Sequence, residues 1–260
     1  MTTERANAMC QATTSAMKTG IVIVMAAMLT GFAAQAQFAE INMSAQVNSD
    51  FRAWAGTDFP LGGTQLNIAG VPFGLAELDN NPNSLGICGP IDSGGSSSLG
   101  PFDYTFPVPA GTHATVLYTL MNTTYGLAGV NEGNVVVTGT LGETATLTLT
   151  EGSNIRDYNN GYFCNTLTDT TVVSTYFQNG APTTNGYIQS RLDRQQLILP
   201  STFSGDTIAS ISFQGDRQGN PDGSAFLVGL TLATVPEPTS LSLLALGAVA
   251  LLGVCRFRRR

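Results

Sequence analysis

Few residues of this 260-residue chain are suited to catalysis. A hydrolytic triad would depend on His113, the one histidine, and the Gly-x-Ser-x-Gly pattern that exposes a nucleophilic serine is absent. A glycosidase needs two carboxyl groups flanking the scissile bond, and the sequence identifies no such pair among its many scattered acids. We therefore predict a protein without enzymatic activity, with a secreted hydrolase as the least favoured alternative.

One stretch carries oxygen ligands of the kind that calcium binds. Asp216, Asn220 and Asp222 lie close together among glycines, and calcium sites in proteins are built from several such oxygens. Arg217 interrupts the stretch, however, and the spacing departs from the helix–loop–helix calcium pattern. We favour a hairpin loop whose Asn and Asp side chains bond their own backbone. No cofactor is predicted, and calcium in this loop is the alternative.

Arginines are scarce between residues 37 and 235, so those close to an acid stand out. In a strand, Arg191 and Asp193 would share one face, where a guanidinium and a carboxylate can pair in a plane. Together with the aromatic rings of Trp54 and Tyr158, these residues are the candidates for a polar sugar-binding groove. The favoured alternative is structural, with ion pairs between strand ends and the aromatic rings in the core.

Of the four cysteines, Cys88 and Cys164 alone lie outside the hydrophobic ends of the chain. In an oxidising compartment two such thiols commonly form a disulfide. Closing a loop of this length would add about 4 kcal/mol in the chain-entropy model. A metal site would need more ligands, and the chain has no CxxC pair. We therefore predict a Cys88–Cys164 disulfide.

Alternation of apolar and polar residues dominates the chain between residues 37 and 235. A period of two with threonine on the open face is typical of half-buried antiparallel strands, and clusters of Gly and Asn between the runs are turn signals. This pattern predicts an all-β fold, an antiparallel β-sandwich or jelly roll. Two runs are each predicted to place four side chains on one face: Ala114, Val116, Tyr118 and Leu120, and then Phe226, Val228, Leu230 and Leu232.

The two ends of this region resemble jelly-roll modules of the galactose-binding-like kind. Residues 62–73 are similar to the first strands of such modules, and residues 208–213 with 226–232 are similar to their final hairpin. The resemblance implies glycan binding only by analogy of fold.

The charge of residues 37–235 limits the partners of the protein. This region has five arginines, no lysine and sixteen acidic residues, for a net charge of −11, whereas the whole chain has −7. Such a surface repels phosphate backbones, so we predict no nucleic-acid binding. Anionic membranes and acidic polysaccharides are disfavoured for the same reason. Neutral glycans and proteins are the expected partners.

The N-terminus has the features of a secretory signal peptide. Lys18 precedes an apolar run at residues 21–29, and Ala34 and Ala36 supply the small-x-small cleavage pattern. We predict a signal peptide at residues 1–36 and a mature N-terminus at Gln37. The positively charged region is long if Met1 is the start, and Met17 would give a more typical opening.

The C-terminal tail combines three parts in a fixed order. Pro236, Glu237 and Pro238 come first, and an uncharged stretch at residues 239–255 follows, at the short end of what spans a bilayer as a helix. A basic cluster ends the chain and would hold this end in the cytoplasm: Arg256, Arg258, Arg259 and Arg260. An ordinary uncleaved anchor is the alternative interpretation of this tail.

The tail resembles the PEP-CTERM sorting tail of exported proteins of Gram-negative bacteria, over about the last 25 residues. The resemblance implies recognition by an exosortase-type membrane protease. It also implies an inner-membrane precursor with a periplasmic body, which later reaches the cell surface or the medium, and a link to extracellular polysaccharide.

We thus predict three parts: a signal peptide at 1–36, an exported β-sandwich at 37–235 and a sorting tail at 236–260. The predicted function is that of a non-catalytic interaction or structural module of the cell surface or extracellular matrix. A carbohydrate-binding module for a neutral glycan is the first alternative.

Overall fold

The computed structural model describes residues 37–91, 101–161, 163–185, 187–216 and 224–234. Gln37–Val235 forms one compact unit. The predicted signal peptide, its cleavage site at Ala34 and Ala36, and the whole sorting tail lie outside the described residues. Within those residues, no helix combines the length and the apolar character needed to cross a membrane.

The described residues are mostly strands, with one short α-helix and one 3₁₀-helix. In chain order the elements are β1 (Gln37–Glu40), β2 (Ser49–Asp50), α1 (Phe51–Ala55), β3 (Gln65–Ile68), β4 (Val71–Gly74), β5 (Gly86–Ile87), β6 (Pro101–Pro107), β7 (Ala114–Thr124), β8 (Asn131–Gly139), β9 (Thr144–Thr150), β10 (Val173–Gln178), β11 (Ala181–Thr183), β12 (Arg191–Ile198), a 3₁₀-helix (Ser201–Gly205), β13 (Ile208–Asp216) and β14 (Ser224–Thr234). The all-β, antiparallel prediction is confirmed.

Two larger sheets hold most of these strands. The first has the order β1-β14-β7-β12-β10-β11, and the second has the order β6-β13-β8-β9. Every pairing within them is antiparallel. Their apolar side chains meet in one buried cluster, to which Leu117 and Leu230 contribute from the first sheet and Val135 and Ile211 from the second. This shared core stabilises both sheets through the apolar surface that it removes from water.

A second buried cluster covers the other face of the six-stranded sheet. Phe51 of α1 and Phe73 of β4 pack there against Phe226 and Val228. The Asp50 carboxylate caps α1 by accepting the Arg52 amide at 3.0 Å, which satisfies one of the free amides of a helix start. Since apolar residues cover both of its faces, β14 is buried along nearly its whole length.

The two predicted four-residue faces are wrong because bulges interrupt both strands. In β14 the register against β7 shifts between Leu227 and Gly229. Phe226 and Val228 therefore belong to the second cluster, whereas Leu230 and Leu232 belong to the first. In β7 a shift near its start likewise separates Ala114 from Tyr118 and Leu120. One extra residue in a strand reverses the face of every side chain beyond it.

Candidate functional site

A buried ion pair anchors the polar residues of β12. Asp193 is fully buried, and its carboxylate accepts Arg156 Nε at 2.8 Å and Nη2 at 3.2 Å. The Asn122 side chain donates to the same carboxylate at 3.1 Å, and its oxygen accepts the Asp193 amide at 2.9 Å. A buried ion pair is tolerated only when its two charged groups bond each other and also bond neutral partners. The carboxylate of Asp193 therefore has its hydrogen-bond partners inside the protein.

Arg191 is also fully buried, and its partners are neutral. Its Nε and Nη2 donate to the carbonyl oxygen of Asp157 at 3.0 and 2.6 Å. The side-chain oxygens of Asn160 and Asn165 accept at 2.9 and 2.6 Å. Burial, reinforced by the nearby charge of Arg156, lowers the pKa of Arg191. These bonds fasten residues 156–165 to β12.

Arg191 and Asp193 do not pair with each other, although a shared strand face made such a pairing possible. The two residues do lie two positions apart in β12. Asp193 nevertheless pairs with Arg156, and Arg191 donates to a backbone carbonyl. The Arg156 side chain also donates to the Asn165 carbonyl at 2.7 Å and to Ser174 Oγ at 2.6 Å. The network joins strands and loops, and a sugar in the predicted groove would have to displace these bonds.

Trp54 and Tyr158 lie at the edge of the second apolar cluster. Their ring centroids are 5.6 Å apart in an edge-to-face arrangement, and both rings pack on Phe226. The indole nitrogen of Trp54 donates to Ser49 Oγ at 3.3 Å. Both side chains are half-buried. They thus contribute to the core, as the structural alternative for these residues predicts.

Exposed aromatic rings lie elsewhere, on Phe163 within residues 156–165 and on two loops next to that segment. Tyr125 and Phe163 are 50% and 60% exposed, with their ring centroids 4.8 Å apart and their planes nearly perpendicular. Both have left-handed backbone φ angles, 56° and 43°, which non-glycine residues seldom adopt. Tyr187, 96% exposed, lies on a third loop, where the neighbouring Gln189 carbonyl accepts the amide of Asn160 at 2.7 Å.

Asp157 holds the Tyr125 loop in place. One oxygen of its buried carboxylate accepts the Tyr125 amide at 2.7 Å, and the other accepts the Asn159 amide at 2.5 Å. Burial raises the pKa of Asp157 to about 6, although these two bonds and Arg191 favour the charged form. The carboxylate thereby links the Tyr125 loop to the segment that carries Phe163.

Glu151 lies directly beneath this loop. It is 1% exposed, and burial raises its pKa to about 9. The Thr123 hydroxyl donates to one carboxyl oxygen at 3.1 Å, while the other has no hydrogen-bond partner among the described residues. A Cβ added to Gly126 would stand 2.0 Å from the carboxyl group, so only glycine fits above it.

Cys88 and Cys164 are both free thiols in the structure, so the predicted disulfide is wrong. Cys88 lies in the first apolar cluster, where its backbone pairs with that of Leu227. Cys164 lies beside the Thr166 hydroxyl, 3.9 Å away, on a different loop. Burial raises the pKa of both thiols. The two cysteines thus lie in different environments, and the number of cysteines in the sequence provided no information about this.

The predicted hairpin loop, for which calcium binding is the alternative, falls almost entirely outside the described residues. Asp216 is the last residue of β13, and Asn220 and Asp222 are not among the residues that the structure describes. In the parts of the chain that are described, no group of three or more His, Cys, Asp or Glu side chains is arranged to hold a metal ion.

Tyr125, Asn122 and Asn165 were not among the predicted site residues. Asn122 and Asn165 are remote in sequence from the arginine and aspartate that they contact, so no local pattern marks them. Tyr125 had a signal, an aromatic residue followed by glycine at the end of a strand run.

Residues 234–260 match the PEP-CTERM protein-sorting motif. The matched range includes the Pro236-Glu237-Pro238 sequence and the four terminal arginines. The chain therefore carries a PEP-CTERM sorting tail, and this tail marks it for export and for sorting by exosortase, a membrane protein. No curated protein and no solved structure matches the chain.

Proposed function

We propose that the protein is a precursor held in the inner membrane by residues 239–255, with its body in the periplasm, until an exosortase-type protease processes the tail. The match of residues 234–260 to the sorting motif carries this proposal. The order of the tail supports it, because a short uncharged stretch ends in four arginines that retain that end in the cytoplasm. After processing, the body reaches the cell surface or the extracellular matrix.

The body acts there as a non-catalytic interaction or structural module with a β-sandwich fold. The apolar cluster shared by its two larger sheets supports the sandwich. The use of Arg191, Asp193 and Arg156 as partners of one another and of neighbouring residues supports a structural role for the most polar part of the body.

Replacement of the motif glutamate tests the sorting proposal. Glu237→Ala should leave the uncut precursor in the membrane fraction, because the proposed recognition element is lost while the apolar stretch and the arginines remain. Thr239→Ala, two residues away, is the matched control and should be processed like the parent chain. Immunoblots of membrane and medium fractions distinguish the two. Normal processing of Glu237→Ala would contradict recognition of the tail through this motif.

Binding of a neutral glycan is the second candidate function, and the Tyr125–Phe163 pair favours it. Two exposed rings held 4.8 Å apart by left-handed backbone and by Asp157 are a preorganised apolar surface. A stable protein partner needs about 800 Å² on each side, whereas two rings suffice to cover one sugar ring. The net charge of −11 at residues 37–235 favours a ligand without negative charge.

A glycan array probed with the mature protein, with and without calcium, tests this candidate. Tyr125→Ala and Phe163→Ala should each abolish selective binding, because each removes one ring of the pair. Leu141→Ala, which removes an exposed apolar side chain from another loop, should bind as the parent does. Absence of binding across neutral glycans would reject this function and leave the sorting proposal unaffected.

A further inference from the structure

Arg194 on β12 is a buried arginine with few partners. It is 8% exposed, and among the described residues no carboxylate lies within ion-pair distance of it. Its Nη1 donates one long hydrogen bond, 3.4 Å, to the Ile68 carbonyl, and its Nε is buried without a hydrogen-bond partner in the described parts of the chain. Buried charges in proteins are normally paired and hydrogen-bonded, because nothing else replaces their lost hydration. The charge of Arg194 is therefore left without compensation.

Arg191, three residues earlier on the same strand, shows how a structural arginine is bonded in this protein. It is also buried, but its guanidinium donates four hydrogen bonds of 2.6 to 3.0 Å. Since side chains alternate along a strand, Arg191 and Arg194 lie on opposite faces of the sheet. Burial lowers the pKa of Arg194, against an opposite effect of the nearby Tyr118. Arg194 thus lacks the bonds that stabilise Arg191 in its buried position.

The residues around Arg194 form a partly open surface on the six-stranded sheet. The guanidinium carbon lies 5.0 Å from the centroid of the Tyr118 ring, within the range of a cation–π contact. Gln196 is opposite Tyr118 in the pairing of β12 with β7, so these two side chains and Arg194 share one face. Tyr118 and Gln196 are half-buried, and Ile198, next along this face, is 70% exposed. An aromatic ring and an amide are therefore partly accessible beside the cation.

We propose that Arg194 binds the carboxylate of an acidic sugar in an otherwise neutral glycan, with the sugar ring on Tyr118 and the sugar hydroxyl groups at Gln196. A carboxylate supplies the missing counter-charge, and its two oxygens match the planar donors of a guanidinium. The net charge of −11 at residues 37–235 repels a ligand with many negative charges, so the carboxylate is an isolated one. The site shares no residue with the Tyr125–Phe163 pair and does not depend on the sorting proposal.

Titration calorimetry of the exported protein with two matched sugars tests the class of ligand. Methyl glucuronoside has a carboxylate where methyl glucoside has a hydroxymethyl group, and it should bind about tenfold more tightly or better, as expected for hydrogen bonds between charged groups. N-acetylglycine, which carries its carboxylate on a peptide unit, should bind more weakly than methyl glucuronoside, because it has no ring to lie on Tyr118. In Arg194→Gln the two sugars should bind equally, because the variant keeps a hydrogen-bond donor and loses the charge.

The stability of the ligand-free protein provides an independent readout. Arg194→Met keeps an apolar stem and removes an uncompensated charge, so its urea midpoint should equal or exceed that of the parent. Arg191→Met is the matched control, because it removes the same group from a position where four hydrogen bonds hold it. It leaves buried acceptors without their donor, so its urea midpoint should fall. A purely structural role for Arg194 would lower the midpoint of both variants.

The binding and stability results together decide the proposal. Preference of the parent for methyl glucuronoside, its loss in Arg194→Gln and an undiminished midpoint of Arg194→Met are expected. Equal binding of the two sugars by the parent, no binding of methyl glucuronoside at millimolar concentration, or a preference that survives in Arg194→Gln would each overturn the proposal. A fall in midpoint of Arg194→Met as large as that of Arg191→Met would do the same. Binding of N-acetylglycine as tight as that of methyl glucuronoside would replace the sugar by a peptide carboxylate.

Discussion

Glu151 should make the stability of this protein depend on pH, and Glu151→Gln should remove that dependence. The carboxyl group is 1% exposed and its pKa is raised to about 9 by burial, with further small increases from the charges of Glu132 and Asp157. At neutral pH the folded protein therefore holds a proton on Glu151 that the unfolded chain releases. An acid whose pKa is raised by folding stabilises the fold most fully at low pH, and this stabilisation is lost as pH rises toward the folded pKa.

The expected slope follows from one proton. Between the unfolded pKa of Glu151, near 4.5, and its folded value of about 9, the free energy of unfolding should fall by about 1.4 kcal/mol per pH unit. From about pH 6.5 to about pH 8 the loss is therefore about 2 kcal/mol. This window starts above the pKa of Asp157, which is raised to about 6 and contributes mainly below it.

Urea unfolding of the body at several pH values in this window measures the slope. Glu151→Gln keeps the shape of the side chain and an oxygen that can accept the Thr123 hydroxyl, so its unfolding free energy should be nearly constant. Asp79→Asn is the same acid-to-amide change at an exposed site and should keep the slope of the parent. Equal slopes for the parent and Glu151→Gln would refute the assignment of a protonated Glu151 in the folded state.

Three other perturbations test the remaining parts of the structure. Arg156→Ala should destabilise the body by about 3–5 kcal/mol in thermal unfolding, because it leaves Asp193 buried without its cation; a change below about 1 kcal/mol would contradict the buried pair. Cys88 and Cys164 should resist alkylation in the folded protein, and both should react after unfolding without reductant. An intact mass two hydrogens below that of the free-thiol chain, with no alkylation after unfolding, would indicate a disulfide. Asp206→Asn should destabilise the protein at neutral pH more than at low pH, as measured by denaturant midpoints. Hydrogen bonds lower the pKa of Asp206 to about 2, and an acid with a lowered folded pKa loses its stabilisation as pH falls toward that value.

Strands such as β6, β9 and β13 were predictable because each buries one face locally. Phe106, Ile211 and Leu149 occupy the core as their alternation with Thr and Ser indicates. Bulges were not predictable, since the extra residue at Val228 leaves no mark in a run of apolar side chains that is buried on both faces. β14 is buried on both faces because the second apolar cluster packs against its outer face.

The polar residues were likewise predictable in part. Burial of Arg191 and Asp193 agrees with the structural alternative of the sequence analysis, but their partners come from segments far along the chain, such as Asp157 for Arg191 and Asn122 for Asp193. The exposed Tyr125–Phe163 pair depends on how Asp157 joins two loops, which no local pattern specifies. The sorting tail, by contrast, is a linear signal, and its recognition from sequence is confirmed by the match at residues 234–260.

The mass of the mature protein tests the central claim most directly. Intact-mass spectrometry of the protein released by an exporting strain, compared with the same strain lacking its exosortase, reports both ends of the chain. A mature form that begins at Gln37 and has lost residues 256–260 only when the protease is present is the predicted result. A surface or secreted form that retains Arg260 in both strains would contradict sorting through the PEP-CTERM tail.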